Sequence, residues 1–335
     1  MAKKKNVRIK IFATGLAIGS CIVPLQAQAK TPFSQIVVFG DSLSDTGNTF
    51  QATDIPPSPP IPPSPPYFEG RFSNGPVWID YLADSLGLSS DRRTNYAFGG
   101  ATTGKNNTTA PLPPNTPPLP GLQQQLENFK AKNTKADRRA LYVIWVGAND
   151  YLGGGVTDPF VPVNNITSAV STLAERGARH ILVVNLPDLG RIPATRNNEE
   201  IANNLNALTQ FHNTGLAATL QVLNKRTNTN IVSVDVNSLF RRAIANPSEF
   251  GLTNVTDTCL TQTSVCSNPN EYLFWDNLHP TTGVHALVGE LALSSLKSRS
   301  TAKSTSESST AGLNAFVLAT LGTAAGTTVS LYKKR

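Results

Sequence analysis

The chain has 335 residues, a formal net charge of +7 and 39% hydrophobic residues. This length allows one large domain or two small ones, with enough apolar side chains for a buried core. Eight of the 29 basic residues lie at the two ends of the chain: Lys3, Lys4, Lys5, Arg8, Lys10, Lys333, Lys334 and Arg335. The other 21 face 22 acidic residues. The body of the chain is therefore nearly neutral, which argues against a nucleic-acid partner.

Residues 1–29 are predicted to be a secretory signal peptide. A basic start precedes an apolar run over 11–23 and the small residues Ala-Gln-Ala at 27–29, which are typical of a cleavage site. The apolar run is shorter than the about 20 residues that a membrane-spanning helix needs. A lipoprotein site at Cys21 is the competing interpretation. We expect an exported protein, located in the periplasm, at the cell surface or outside the cell.

Residues 30–296 are predicted to form one α/β domain. Apolar, β-branched runs indicate four buried strands, over 35–40, 141–147, 180–187 and 230–236, and a fifth short strand is expected around Asn95. Amphipathic stretches between them predict helices over 77–88, 119–131, 165–178 and 198–226. Buried strands that alternate with helices indicate a parallel sheet covered on both faces. The sequence therefore predicts a three-layer α/β/α sandwich with a five-stranded parallel sheet.

The stretch GDSLSDTG, directly after the first predicted strand, is the first candidate for chemistry. Gly40 permits a sharp turn, and Ser42 follows the strand at the entrance of a helix. The first amides of that helix would point at whatever binds beside Ser42. The alternative is that Asp41 or Ser42 only caps the helix. Ser42 is therefore the candidate nucleophile, and Ser44 is the rival candidate.

Residues 55–66, IPPSPPIPPSPP, are a Pro-rich insert, and a shorter proline-rich loop follows over 110–121. Such a segment favours polyproline II structure and needs no packed core. We expect a mobile surface loop near the Ser42 end of the sheet. A contact with a partner or the cell wall is the alternative.

Two middle segments supply candidate hydrogen-bond donors. The stretch 95–103, NYAFGGATT, ends a short strand in a double glycine, where backbone can come close to a ligand. The stretch 144–151 places Gly147 and Asn149 just past a buried strand. An asparagine amide there can donate to a developing negative charge. Ordinary tight turns are the alternative.

Cys259 and Cys266 are predicted to form a disulfide. If Cys21 leaves with the signal peptide, they remain as an even pair in a non-reducing compartment. Two free thiols are the alternative. No second cysteine pair and no histidine lies near them in sequence, so they do not suggest a metal site, and we expect neither a metal nor a cofactor.

Asp276 and His279 lie three residues apart, just before Pro280. Residues at this spacing can share one side of a turn. Asp276 would then accept from one imidazole nitrogen of His279 and leave the other facing Ser42, which is the role of the acid in a catalytic triad. Simple capping of the last helix is the alternative. The other histidines, His180, His212 and His285, have no such partner in sequence and are expected to be structural or exposed.

The C-terminal part changes composition. Residues 297–310 are a Ser/Thr-rich linker, and residues 311–335 contain an uncharged segment that ends in Lys-Lys-Arg. About 20 uncharged residues before a basic stop are typical of a membrane anchor. The same layout resembles bacterial sorting tails, so the segment is expected to be either an anchor or a sorting tail.

Together these segments resemble the GDSL, or SGNH, family of esterases and lipases, and most of all its secreted bacterial acylhydrolase branch. The matching blocks are FGDSLSDTGN, NYAFGGATT, VGAND and DNLH, and the resemblance extends from residue 36 to about 296. It implies a flavodoxin-like sheet of five parallel strands and ester hydrolysis without a metal. It also implies catalytic roles for Ser42, Asp276 and His279, and an oxyanion hole formed by Ser42, Gly100 and Asn149.

The leading hypothesis is an exported serine hydrolase that cleaves carboxylic esters through an acyl-enzyme on Ser42. The expected partner is an ester of a lipid, a sugar or another acylated small molecule, with short or medium acyl chains because no long apolar lid is evident. One alternative is an esterase that removes O-acetyl groups from polysaccharides. Another is a surface-anchored binding protein with a catalytically idle site.

Overall fold

The computed structural model describes residues 33–91 and 94–299. The predicted signal peptide over 1–29 and the predicted anchor or sorting tail over 311–335 lie outside the described residues, as does the linker from residue 300 onward. Among the described residues, no helix is long and apolar enough to cross a membrane.

The central sheet has four parallel strands in the order β1-β2-β3-β4. Their bounds are Ile36–Gly40, Leu141–Trp145, His180–Val184 and Asn230–Val234. Each coincides with a predicted apolar run, and β1 and β2 are buried throughout. All strands are parallel, so the loops after their carboxyl ends meet at one edge of the sheet, where ligands bind in open α/β folds.

The predicted fifth strand is wrong, because its segment makes only an isolated bridge between Asn95 and Val38. Tyr96 and Phe98 still donate backbone hydrogen bonds to β1. The Asn95 side chain, however, accepts from the N–H of Ala97 at 2.9 Å. Such local side-chain bonds compete with regular strand structure, so the segment follows β1 without forming a ladder.

The described part of the chain contains eight α-helices. The helices α1 to α8 span Asn48–Thr53, Trp78–Ser85, Leu122–Lys132, Ala148–Leu152, Phe160–Glu175, Glu199–Arg226, Val236–Ala245 and 282–299. The four predicted helices correspond to α2, α3, α5 and α6. Helix α8 continues past the predicted start of the linker at residue 297.

Alternate side chains of β1 pack into two separate cores. Val38 faces α2 and α8, where Trp78, Leu82 and Val288 are buried. Phe39 faces the opposite side, in the core that includes residues of α3, α5 and α6. This alternation is the period of a strand whose two faces are both covered. It confirms the predicted three-layer sandwich, with a sheet of four strands.

A second, two-stranded parallel sheet pairs β5, Asn254–Thr258, with β6, Tyr272–Phe274. The sequence did not suggest it, because the β5 residues NVTDT are mostly polar and partly exposed. The predicted disulfide between Cys259 and Cys266 is present just after β5. The N–H of Leu260 donates to the carbonyl of Trp275 at 2.7 Å, so this small sheet and loop support the segment that leads to Asp276.

Burial of His285 is expected to make the fold sensitive to acid. Its Nδ1 accepts from the N–H of Trp78 at 3.2 Å, and its Nε2 is buried without a partner. Burial, followed by the nearby His279, lowers the pKa of His285 to about 3, and burial lowers the pKa of His212 to about 4. An unfolded histidine has a pKa near 6.5. Below pH 6.5 the unfolded chain binds more protons than the folded chain. The free energy of unfolding therefore decreases as the pH falls from about 6.5 toward the folded pKa values.

We expect His285→Asn, which keeps an acceptor but cannot titrate, to weaken this dependence. Between pH 7.5 and pH 5 the wild type should lose about 2 kcal/mol more stability than the variant. The reason is that the variant takes up one proton fewer when it unfolds. Urea unfolding at the two pH values measures the difference. The variant should be less stable than the wild type at pH 7.5, because asparagine fills less of the site. Equal pH dependence of the two proteins would contradict the prediction.

Candidate active site

Ser42 lies two residues after the end of β1, at the carboxyl edge of the sheet. The turn that presents it needs glycine at position 40, since a Cβ there would lie 2.6 Å from the carbonyl oxygen of Trp145. The Ser42 Oγ lies 2.9 Å from the Nε2 of His279. The residue is 9% exposed, so the contact between the hydroxyl and the imidazole is largely shielded from solvent.

Asp276 and His279 contact each other within one turn. The Nδ1 of His279 lies 2.9 Å from Oδ1 and 2.8 Å from Oδ2 of Asp276. The backbone N–H groups of Leu278 and His279 donate to the Asp276 Oδ1 at 2.8 and 2.7 Å. Burial would raise the pKa of Asp276, but the neighbouring His279 and these hydrogen bonds outweigh it and hold the pKa below its ordinary value. The carboxylate therefore stays ionised beside the imidazole.

The hydrogen bonds define which nitrogen of His279 carries the proton. An ionised Asp276 can only accept, so Nδ1 must be the donor to it. Nε2 is then left as the acceptor for the Ser42 hydroxyl. The sequence-predicted Ser42, His279 and Asp276 are thus brought into one continuous chain of hydrogen bonds.

Gly100 lies in a loop that two buried carboxylates hold. The Asp45 Oδ2 accepts from the N–H of Gly99 at 2.9 Å, and the Asp150 carboxylate accepts from the N–H and hydroxyl of Thr103 at 2.9 and 2.6 Å. Burial raises the pKa of both acids. Gly100 itself has φ +74°, and a Cβ there would collide with Thr109, so only glycine fits this position.

Asn149 lies in the first turn of α4, after β2. Its Nδ2 donates to the carbonyl of Ala101 at 3.1 Å. This bond joins the Asn149 turn to the loop of Gly100. Only one N–H of the amide is engaged by this bond, so a second N–H can donate to a ligand. The structure therefore places the two predicted donor segments against each other.

Ser44, the rival nucleophile, has a different partner. Its Oγ accepts from the indole Nε1 of Trp78 at 3.0 Å, and the residue is fully buried. His212 pairs with the hydroxyl of Tyr151 at 2.9 Å, and the ring of His180 packs edge-on against Phe33. With His285 under α2, these histidines make structural contacts, as the sequence suggested.

Asp41, next to the candidate nucleophile, was considered from the sequence only as a possible helix cap. It is buried, and its Oδ1 accepts from the N–H of Leu43 at 3.1 Å. Burial raises the pKa of Asp41 to about 7, against the lowering effects of the Leu43 N–H and of His279. A carboxyl that titrates near neutral pH therefore lies one residue from Ser42.

Two aromatic side chains beside the triad were also missed. The hydroxyl of Tyr67 donates to the Asp276 Oδ2 at 2.7 Å. The ring of Phe72 packs 5.2 Å from the ring of His279, centroid to centroid. Both follow the Pro-rich insert in the stretch YFEGRFSNG. The sequence over 67–83 resembles the segment that follows the first family block, but it carries no acid–base spacing and did not predict these contacts with the triad.

No cluster of three or more histidine, cysteine, aspartate or glutamate side chains that could hold a metal ion occurs within residues 33–91 and 94–299. The site consists of a serine, a histidine, a carboxylate and two groups of N–H donors. These parts suffice for acyl transfer to and from a serine hydroxyl.

The chain is similar to several known proteins. Residues 36–292 match the model of a family described as GDSL-like lipase/acylhydrolase. A phosphatidylcholine-sterol acyltransferase of Aeromonas hydrophila is 31% identical, over 84% of this chain and 96% of its own length. A thermolabile hemolysin of Vibrio parahaemolyticus is 30% identical, over 78% of this chain and 63% of its own length. The solved aryl esterase of M. smegmatis has 18% identity, covers 79% of this chain and 98% of its own, and gives a TM-score of 0.45.

The chain belongs to the GDSL lipase/acylhydrolase family. It is a carboxylic-ester hydrolase of the α/β class. The alternative of a surface-anchored binding protein with an idle site is therefore set aside.

Proposed function

We propose that the enzyme cleaves its ester through an acyl-enzyme on Ser42, with His279 as the base and Asp276 as its partner. The observation that carries the proposal is the unbroken hydrogen-bond chain from the Ser42 Oγ through both nitrogens of His279 to Asp276. A nucleophile bonded to a base, which a third group orients, is the arrangement that activates a hydroxyl.

In the first half of the reaction, the Nε2 of His279 takes the proton of Ser42 while Oγ attacks the ester carbonyl carbon. The tetrahedral intermediate collapses as the C–O bond to the alcohol breaks, and the imidazolium gives its proton to the departing alcohol. In the second half, His279 takes a proton from water, and the hydroxide attacks the acyl-serine. The carboxylic acid leaves and Ser42 recovers its proton.

The negative charge that develops on the carbonyl oxygen is stabilised by N–H donors. In this proposal the backbone amides of Ser42 and Gly100 and the side-chain amide of Asn149 supply them. Support comes from the fixed loop around Gly100 and from the Asn149–Ala101 bond, since donors that are held in advance need no reorganisation during the reaction.

Lipid esters are the proposed substrate class, and acyl transfer to another alcohol is the second candidate activity. Both rest on the similarity to the phosphatidylcholine-sterol acyltransferase, which extends over almost the whole of that protein. An acyl-enzyme can pass its acyl group to water or to an alcohol by the same chemistry. Product analysis with phosphatidylcholine alone, and then with an added sterol, distinguishes a free fatty acid from a sterol ester.

The substrate class is tested with a panel of p-nitrophenyl esters of short and long acyl chains, phosphatidylcholine and acetylated polysaccharide. The proposal predicts turnover of lipid and p-nitrophenyl esters and labelling of Ser42 by a fluorophosphonate, which reacts only with an activated serine. Turnover confined to acetylated polysaccharide would favour the alternative of an O-acetyl esterase. Absence of label on Ser42 in an active enzyme would reject the mechanism.

We also propose that the enzyme is exported, by the predicted signal over residues 1–29. The disulfide between Cys259 and Cys266 supports this, because such bonds persist mainly in oxidising compartments. Attachment to a membrane through residues 311–335 is part of the same proposal. Fractionation of cells that make the chain with and without these residues tests it, and an unchanged distribution would contradict it.

A further inference from the structure

We propose that Tyr67 is a positioning residue, which fixes the orientation of the Asp276 carboxylate toward His279. This inference rests on the proposed function, since it assigns Asp276 the role of the triad acid. It also gives the segment that follows the Pro-rich insert a task in catalysis, because Tyr67 is the first residue after that insert.

The argument begins with the donors around Asp276. Oδ1 receives two backbone N–H groups, from Leu278 and His279. Oδ2 receives none from the backbone of this turn in the described structure, and its donors are the Nδ1 of His279 and the hydroxyl of Tyr67. All of these donors lie within three residues of Asp276 except Tyr67, which is 209 residues away in sequence. The turn therefore anchors one carboxylate oxygen, and Tyr67 anchors the other.

This division matters because the carboxylate can rotate. The second torsion angle of an aspartate side chain has a broad energy minimum, so one anchored oxygen leaves the plane of the group free to swing. The Nδ1 of His279 is nearly equidistant from the two oxygens and does not choose between them. A donor on each oxygen fixes the plane, and the fixed plane in turn holds the imidazole with Nε2 toward Ser42.

Tyr67 is itself held in place. Its ring packs edge-on against Trp275, with 6.2 Å between ring centroids, and against Phe72 at 6.5 Å. Its backbone N–H donates to the carbonyl of Pro63 at 3.2 Å, within the Pro-rich insert. Burial, followed by the charge of Asp276, raises the pKa of Tyr67. The hydroxyl therefore keeps its proton and acts as the donor in this bond.

The test is Tyr67→Phe, which removes the hydroxyl and keeps the ring. We expect kcat for p-nitrophenyl ester hydrolysis to fall about tenfold while KM stays within about twofold, because the bond orients the base and does not touch the ester. Tyr81→Phe is the matched control. The Tyr81 hydroxyl lies 2.7 Å from the Oγ1 of Thr282, where α2 meets the start of α8, a bond of the same length as that of Tyr67. This variant should keep the wild-type kcat.

A double-mutant cycle separates positioning from a general loss of structure. We expect Tyr67→Phe to lower the rate of fluorophosphonate labelling about tenfold in the wild-type background. In an Asp276→Asn background the carboxylate is gone, so adding Tyr67→Phe should change the same rate by less than about twofold. An undiminished effect in that background would overturn the inference, as would a Tyr67→Phe enzyme with wild-type kcat. An equal loss of activity in Tyr81→Phe and Tyr67→Phe would also overturn the inference. Because Ser42→Ala tests the nucleophile alone, full activity of that variant would instead overturn the proposed function.

Discussion

Replacing Ser42 by alanine is expected to lower kcat for ester hydrolysis by about 10⁶-fold, the magnitude that follows when a serine hydrolase loses its nucleophile. The reason is direct, since the variant lacks the oxygen that would bond to the acyl carbon and the hydroxyl that His279 would deprotonate. KM for the ester should change little. Initial rates with a p-nitrophenyl ester, together with circular dichroism to verify folding, measure the effect.

Ser44→Ala is the matched control, two residues away on the same turn. Its hydroxyl accepts from the indole of Trp78 and makes no contact with His279 among the described hydrogen bonds. We expect near wild-type kcat, with a loss of stability of about 1–3 kcal/mol because a buried N–H loses its acceptor. If Ser44→Ala were inactive and Ser42→Ala active, the nucleophile would have been misassigned.

The second large effect is expected for Asn149→Ala. Removing one donor from an oxyanion hole costs on the order of 10²–10³ in kcat, because the charge that it stabilises exists only near the transition state. Binding of the neutral ester should therefore be almost unaffected, and KM should stay close to its wild-type value. Steady-state kinetics on the purified variant provide both numbers.

An analogue of the tetrahedral intermediate gives an independent measurement. An alkyl boronic acid that adds to Ser42 mimics the intermediate, so its affinity should fall by roughly the same factor as kcat. Asn133→Ala is a suitable control, since the Asn133 amide donates to Phe129 at the end of α3. Equal boronate affinity in Asn149→Ala and the wild type would remove Asn149 from the oxyanion hole.

Much of the fold and site could be predicted because each part carries a local signal. The apolar runs of β1 and β2 are buried on both faces, and such strands stand out in sequence without any knowledge of their neighbours. Asp276 and His279 form their turn largely with their own backbone. A spacing of three residues was therefore enough to indicate their contact.

The parts that could not be predicted depend on long-range contacts or on competition between local bonds. Tyr67 reaches Asp276 only because the whole domain has folded, and no residue near it in sequence reveals this. Around Asn95 a short strand was predicted, but the Asn95 side chain bonds to the backbone two residues on, and the pairing is limited to a bridge. The paired strand β5 is too polar to stand out as one.

The separation of Ser42 from His279 has a consequence for the synthesis of this enzyme. The two residues that must touch are 237 positions apart, at opposite ends of the folded domain's sequence. Synthesis reaches His279 only after almost the whole domain has been made, so until then Ser42 lacks the imidazole that the proposed mechanism requires. Under the proposed mechanism, chains that end before residue 279 should therefore not hydrolyse esters.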